Sequence, residues 1–167
     1  MTTQEYVTII IFIIAITVNC LTVYSQKKYR IYDIFGSKAH SVHSAVLSLV
    51  WGVFIVSYAL LELTASTAND NNSYAPAGYV LKVLAVILFS LSLKQIGSGA
   101  LTNKDLFTGE KRKLHGVYCY ISEPIYVSYT LFILSSGLVT GIEAFYYMAV
   151  VSLIGLQIIE SKIESIK

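Results

Sequence analysis

The residues able to grip a polar ligand crowd into one stretch of the chain. Between Ser98 and Glu123 lie Lys111, Arg112, Lys113, His115, Tyr118, Tyr120 and Glu123. Lys94 stands one turn before that stretch, and Glu160 closes the last apolar run. Cations suit an anionic group, carboxylates suit a cationic one, and tyrosine rings stack on flat bases or donate hydrogen bonds. A connection of about 26 residues is longer than joining two helices requires, which marks it as functional. If the last apolar run ends at the same face as this loop, Glu160 and the loop converge on one pocket.

Other chemistry-bearing residues carry weaker signals. His40 and His43 stand three apart, a spacing that sets two ligands on one helix face. No Cys, Asp or Glu lies near them in sequence to complete a site, so they read as interfacial histidines and no metal is expected. Glu62 and Lys82 lie inside apolar runs, where they either pair or snorkel, in structural roles. Lys94 snorkels or touches an anion bound at the loop. Gly97-Ser98-Gly99 lacks the strand-to-helix context of a glycine loop, and the sequence holds no P-loop, nucleophile elbow or dinucleotide fingerprint. The two cysteines, Cys20 and Cys119, fit no disulfide framework. No nucleic-acid partner is expected.

These residues are positioned by apolar helices. The chain has 167 residues, 55% hydrophobic and 13% charged, with a net charge of +2. A soluble domain carries about 25% charged residues. Lipid is the solvent that accommodates the difference. Spans are expected over roughly 6–24, 43–65, 78–97, 125–139 and 144–159. Each of the last two falls short of the usual ~20 residues. Gly141-Ile142-Glu143 leaves room only for a tight turn between them. The expected fold is an all-α membrane protein of about five transmembrane helices, the last two a helical hairpin. It forms a single domain: three spans over 1–97, a cytosolic loop over 98–124, the hairpin over 125–160 and a tail over 161–167. The first span is read as retained rather than as a cleaved signal.

Charge sets the orientation. Lys27, Lys28, Arg30 and Lys38 lie in the first loop, Lys104, Lys111, Arg112 and Lys113 in the third, and Lys162 and Lys167 in the tail. The N-terminus, the second loop and the hairpin turn hold no Lys or Arg. With five spans all basic segments share one side, which puts the N-terminus outside and the C-terminus in the cytosol. Tyr6, Tyr24, Tyr74, Tyr79, Tyr126 and Tyr146 fall at or beside span ends, as an interfacial aromatic belt does. Asn71-Asn72-Ser73 fits a glycosylation sequon on the outer side.

One string carries a family resemblance. Leu114-His115-Gly116-Val117-Tyr118-Cys119-Tyr120-Ile121-Ser122-Glu123-Pro124-Ile125-Tyr126 resembles the GxYxxxRHPxY motif of isoprenylcysteine carboxyl methyltransferases. It is also similar to the NPMY segment of phospholipid N-methyltransferases. Gly116, Tyr118, Pro124 and Tyr126 fall in register. Gln95-Ile96-Gly97 stands where those proteins place a Leu-Gly, and Glu160-Ser161 stands where they place a Glu pair. The likeness covers about 91–166. Two departures fall on polar positions: Ser122-Glu123 replaces Arg-His, and the second acid is lost.

The resemblance implies a pocket for S-adenosylmethionine at the cytosolic face and a tunnel admitting a lipidic acceptor from the bilayer. It implies cofactor-binding roles for His115, Gly116, Tyr118, Glu123, Pro124, Tyr126 and Glu160. Glu160 would face the donor's cationic part, Gly116 would let the backbone approach closely, and Pro124 would start the fourth span. Tyr118 and Tyr126 would contact adenine, or serve as belt tyrosines. Two functions follow as expectations. One is a membrane methyltransferase acting on an isoprenylcysteine carboxylate or a phospholipid amine. The other is a non-catalytic relative that binds a lipid or a membrane partner protein. A membrane reductase ranks below both, since no basic cluster is set aside for a dinucleotide phosphate.

Overall fold

The computed structural model describes residues 1–66, 72–97, 101, 103–104, 107, 116–121 and 123–160, the side chains of Ser66, Gln157 and Glu160 excepted. Among the described residues the protein is all-α, with five helices: α1 (Thr3–Tyr29), α2 (Ala39–Ser66), α3 (Ala75–Ile96), α4 (Pro124–Thr140) and α5 (Glu143–Ser152). Short 3-10 turns cover Ile31–Lys38 and Gly116–Cys119. The first three helices are long and apolar enough to cross a membrane. At 1.5 Å per residue the 17-residue α4 reaches only about 26 Å.

Local sequence explains the ends. Thr2 and Glu5 form a reciprocal capping box that starts α1 earlier than hydropathy alone suggests. Arg30 ends α1 in the left-handed region, and Gln26 then organises the turn. Its amide donates to Asp33 Oδ1 at 2.9 Å, and its Oε1 accepts from the Tyr32 N–H at 3.0 Å. Pro124 occupies the first turn of α4, where a missing N–H costs nothing. Gly141, at φ 72°, closes α4 by donating to Gly137 O at 2.8 Å, and α5 starts two residues later. The last two helices form the expected hairpin.

The last span differs from a uniform helix. After Ser152 the backbone continues in wider π-helical winding over Leu153–Glu160. Gly155 sits in this stretch and has no room for a Cβ against Ile16. Its carbonyl accepts from Cys20 Sγ at 3.7 Å. This close approach to α1 coincides with the local change of winding.

The core lies where α1, α2, α4 and α5 meet, around Phe12, Phe54, Tyr58, Ile133, Phe145 and Met148. Phe12 and Phe54 have ring centroids 4.6 Å apart, and Tyr58 meets Phe145 edge-on at 5.2 Å. Outward-facing Ile10, Ile14, Val53, Val56, Leu60, Val80, Val83 and Ile87 are exposed, as lipid-facing residues are. The third helix packs on α4. A Cβ on Gly78 would stand 2.7 Å from Val139 Cγ2, so glycine permits that contact.

Glu62 and Lys82 pair, joining α2 to α3. Ser136 donates to Glu62 Oε1 at 3.2 Å, Tyr58 and Ser136 share a 2.5 Å hydrogen bond, and Lys82 lies 5.0 Å from the Phe132 ring. One polar knot therefore ties three helices, the solution an intramembrane charge requires.

Side-chain contacts define the two ends of the bundle. Asn72, before α3, donates to the Leu138 and Val139 carbonyls at the end of α4, at 2.7 and 3.2 Å. At the opposite end Phe107, from the third loop, meets Tyr32 of the first at 6.3 Å. Phe107 also covers His43, at 5.2 Å. His43 is fully buried, and neither ring nitrogen has a hydrogen-bond partner among the described residues. Its burial depends on a loop residue 64 positions away, a contact that local spacing does not report.

Candidate functional site

Four helices leave a cavity of about 370 Å³ toward the end that carries the first and third loops. Its walls take Asn19 from α1; Leu47, Ser48, Trp51, Gly52 and Ile55 from α2; Ile125, Tyr126 and Tyr129 from α4; and Leu156 from the π-helical stretch. Leu101, Asn103 and Glu123 complete it at the loop end. A carboxylate and an amide stand at the loop end; deeper in, rings and aliphatic groups predominate, with Asn19 and Ser48 as polar groups among them. Trp51 and Tyr129 stack across the space between α2 and α4, with centroids 6.1 Å apart and planes 13° apart. Phe89 of α3 backs Tyr129 at 5.5 Å.

The mouth is built on strained backbone. Glu123 has φ 51° and Asn103 φ 50°, two of the three described non-glycine residues in the left-handed region. Asn tolerates that region through its short polar side chain, whereas Glu has no such ease. The residue before a proline is also restricted, which leaves Glu123 few conformations. The Glu123 carbonyl accepts from the Tyr126 and Val127 N–H groups at 3.0 and 3.2 Å, which opens α4. The strained residue, the buried Pro124 and Tyr126 thus form one rigid corner, and Glu123 and Tyr126 both face the cavity.

Other motif residues stand elsewhere. Gly116, at φ 59°, lies against the side chain of Gln95 at the end of α3. The Val117 N–H donates to Gln95 Oε1 at 3.1 Å. The close backbone approach at Gly116 is therefore to Gln95. Tyr118 is buried in the same turn, and Tyr120 is 90% exposed. His115, Lys111, Arg112, Lys113 and Ser122 lie outside the described residues, as does the Glu160 side chain. The Glu160 backbone ends the π-helical stretch four residues beyond Leu156, so it lies beyond the cavity wall toward the loop end.

Sequence reasoning missed the walls supplied by α1 and α2. Asn19 and Gly52, a polar residue and a glycine inside apolar runs, are the signals that mark them. Among the described residues no group of three or more His, Cys, Asp or Glu converges as a metal site does.

Apolar helices, three of them long enough to cross a bilayer, mark an integral membrane protein. Residues 74–166 match the model of the phospholipid methyltransferase family, more than half of the chain, and the protein belongs to that family. No curated protein and no solved structure matches it. The matched part begins just before α3, so α1 and α2 lie outside it.

Proposed function

We propose that this protein transfers a methyl group from S-adenosylmethionine to the amine of a membrane phospholipid, at the cytosolic face. The observation that carries this reading is the placing of Glu123 and Tyr126, both within the motif string, on a cavity whose loop end bears a carboxylate and whose depth is mostly apolar. An amine headgroup fits beside a carboxylate and aromatic rings, because both attract a cation. A carboxylate acceptor such as isoprenylcysteine would meet repulsion from Glu123.

Bound donor supplies an electrophilic methyl group on a sulfonium. The chain's own part is positioning. Tyr126 and Tyr129 wall the headgroup, the Glu123 carboxylate orients the amine and accepts the proton that nitrogen must lose, and the surrounding helices exclude water. The lone pair of nitrogen forms the new bond to carbon as the carbon–sulfur bond breaks, and that bond's electrons stay on sulfur. Holding the partners in line supplies most of the acceleration such a reaction needs. His115, Gly116, Tyr118 and Glu160 belong to the donor side in this reading, with Glu160 toward the donor's cationic part. The orientation puts the N-terminus outside and the C-terminus in the cytosol.

The substitution of Ser122-Glu123 for Arg-His favours a second reading, a relative that keeps the lipid cavity without the transfer. Calorimetry with S-adenosylmethionine separates the two. The first reading expects saturable binding by the native protein. It also expects Glu160→Gln to weaken that binding about ten- to a hundredfold, as loss of a charge-assisted contact does. Absence of binding at millimolar donor would remove the methyltransferase reading and leave the second.

A further inference from the structure

The cavity is too small for the whole of the amphiphile it is proposed to hold. Its volume of about 370 Å³ lies near the lower end of the range for small-molecule sites, roughly 300–1,000 Å³. A headgroup and the start of a chain fit there, but two acyl chains do not, so the chains must leave sideways into lipid. Ser48, Gly52 and Ile55 mark the way out. They stand at i, i+4 and i+7 on α2 and share one face. All three line the cavity, yet Ser48 is exposed and Ile55 is 60% exposed, so this face belongs to the cavity and to the bilayer side together. Ile55 lies about 24 Å along α2 from Ala39, deep enough to meet acyl chains rather than headgroups.

Gly52 has no packing reason for being glycine. Gly78, Gly137 and Gly155, the other described glycines inside helices, each press against a neighbouring helix at distances that a Cβ would violate or crowd. Among the described residues a Cβ on Gly52 would meet nothing within 4 Å. Glycine within a helix costs stability relative to alanine, and here no close helix contact offsets that cost. What the missing side chain leaves is open space in the cavity wall, between Trp51 and the exposed Ile55.

Resting on the reading of the cavity as the acceptor site, we propose that Gly52 sets the width of a lateral port through which an acyl chain passes from the cavity into the bilayer. It is then a specificity-determining residue, and it lies in a helix outside the segment that matches the family. The part of the chain shared with the family bears the motif corner, and α2 reads the lipid tail.

The test uses the full chain in phosphatidylcholine vesicles containing a phosphatidylethanolamine with a photoactivatable diazirine midway along one acyl chain. Cross-linked peptides are mapped by mass spectrometry. In the native protein the label falls on α2 around Trp51–Ile55. Gly52→Leu fills the port and lowers that labelling about tenfold, as excluding two methylenes from an apolar site does. Gly52→Ala lowers it less. Ile55→Ala widens the port and raises the labelling, a gain that misfolding cannot imitate. Labelling of α2 that is indifferent to Gly52→Leu, or native labelling confined to other helices, overturns the port. Donor calorimetry on the same preparations separates the two claims. Labelling that depends on Gly52 in a protein that binds no S-adenosylmethionine removes the methyltransferase reading and leaves the port standing.

Discussion

Glu123 holds the left-handed region at φ 51° and ψ 59°, immediately before Pro124. That conformation costs a residue with a Cβ about 1–2 kcal/mol, and it aims a carboxylate at the cavity mouth where the motif string has histidine. Histidine is among the residues enriched at positive φ. At position 123 histidine is therefore a change the backbone accepts, and the effect of Ser122→Arg with Glu123→His reports charge. If the pocket is intact but weakened, the pair strengthens donor binding by supplying cations to the donor's carboxylate. If Glu123 has taken over recognition of an amine, the pair weakens acceptor binding instead. Glu123→Asn keeps the left-handed backbone and removes the charge, so it follows the double variant in acceptor binding if charge is the cause. Titration calorimetry with donor and with a short-chain phosphatidylethanolamine reads both directions.

At the scale of elements, Gln95 helps join α3 to the Gly116–Cys119 turn. Gln95 fills the space beside Gly116 and accepts from Val117. In Gly116→Ala the new Cβ displaces Gln95, and the left-handed φ adds about 1–2 kcal/mol of strain. Gln95→Ala removes the bond without strain. Both variants are expected to speed hydrogen exchange at the Val117 amide, Gly116→Ala more strongly. Protection equal to native in both would show that the turn is held by something other than Gln95. Helix ends marked by strong local chemistry were legible in the sequence: Pro124 opening α4, and Gly141 turning the hairpin. The π-helical stretch was not, because its contacts are with Ile16 and Cys20 of a helix some 135 residues away. Half of the cavity wall was hidden for the same reason. Asn19, Trp51 and Gly52 gain a role only when α1 and α2 close on α4.

For the whole molecule, the proposed orientation has a native probe. Cys119 is exposed, while Cys20 is buried. A membrane-impermeant maleimide is expected to reach Cys119 only after permeabilisation. In a Cys119→Ser background, Asn71→Cys is expected to label from outside. Outside labelling of Cys119 would turn the bundle over and separate the motif corner from the cytosolic donor. Cohesion of the bundle is tested at the knot of Glu62, Lys82 and Ser136. Lys82→Met leaves the half-buried Glu62 without its cation and is expected to destabilise the protein by about 1–3 kcal/mol, the penalty of leaving a charged group unpaired. Adding Glu62→Gln is expected to restore much of that loss. Thermal unfolding in detergent measures both, and an additive double variant would mean that the two residues act separately.

The same ion pair bears on how the chain enters the bilayer. Lys82 sits about 10 Å along α3 from its first residue, inside the apolar span, where a lone cation is costly, up to about 2.5–3.5 kcal/mol at the helix centre on insertion scales. Its counterion, Glu62, lies in the helix synthesised just before. Released into lipid alone, α3 would carry that charge unmet; released beside α2, it does not. Ser136 and Phe132 arrive only with α4. The pair thus favours an order of entry in which α2 stays beside the exit until α3 arrives to meet its charge.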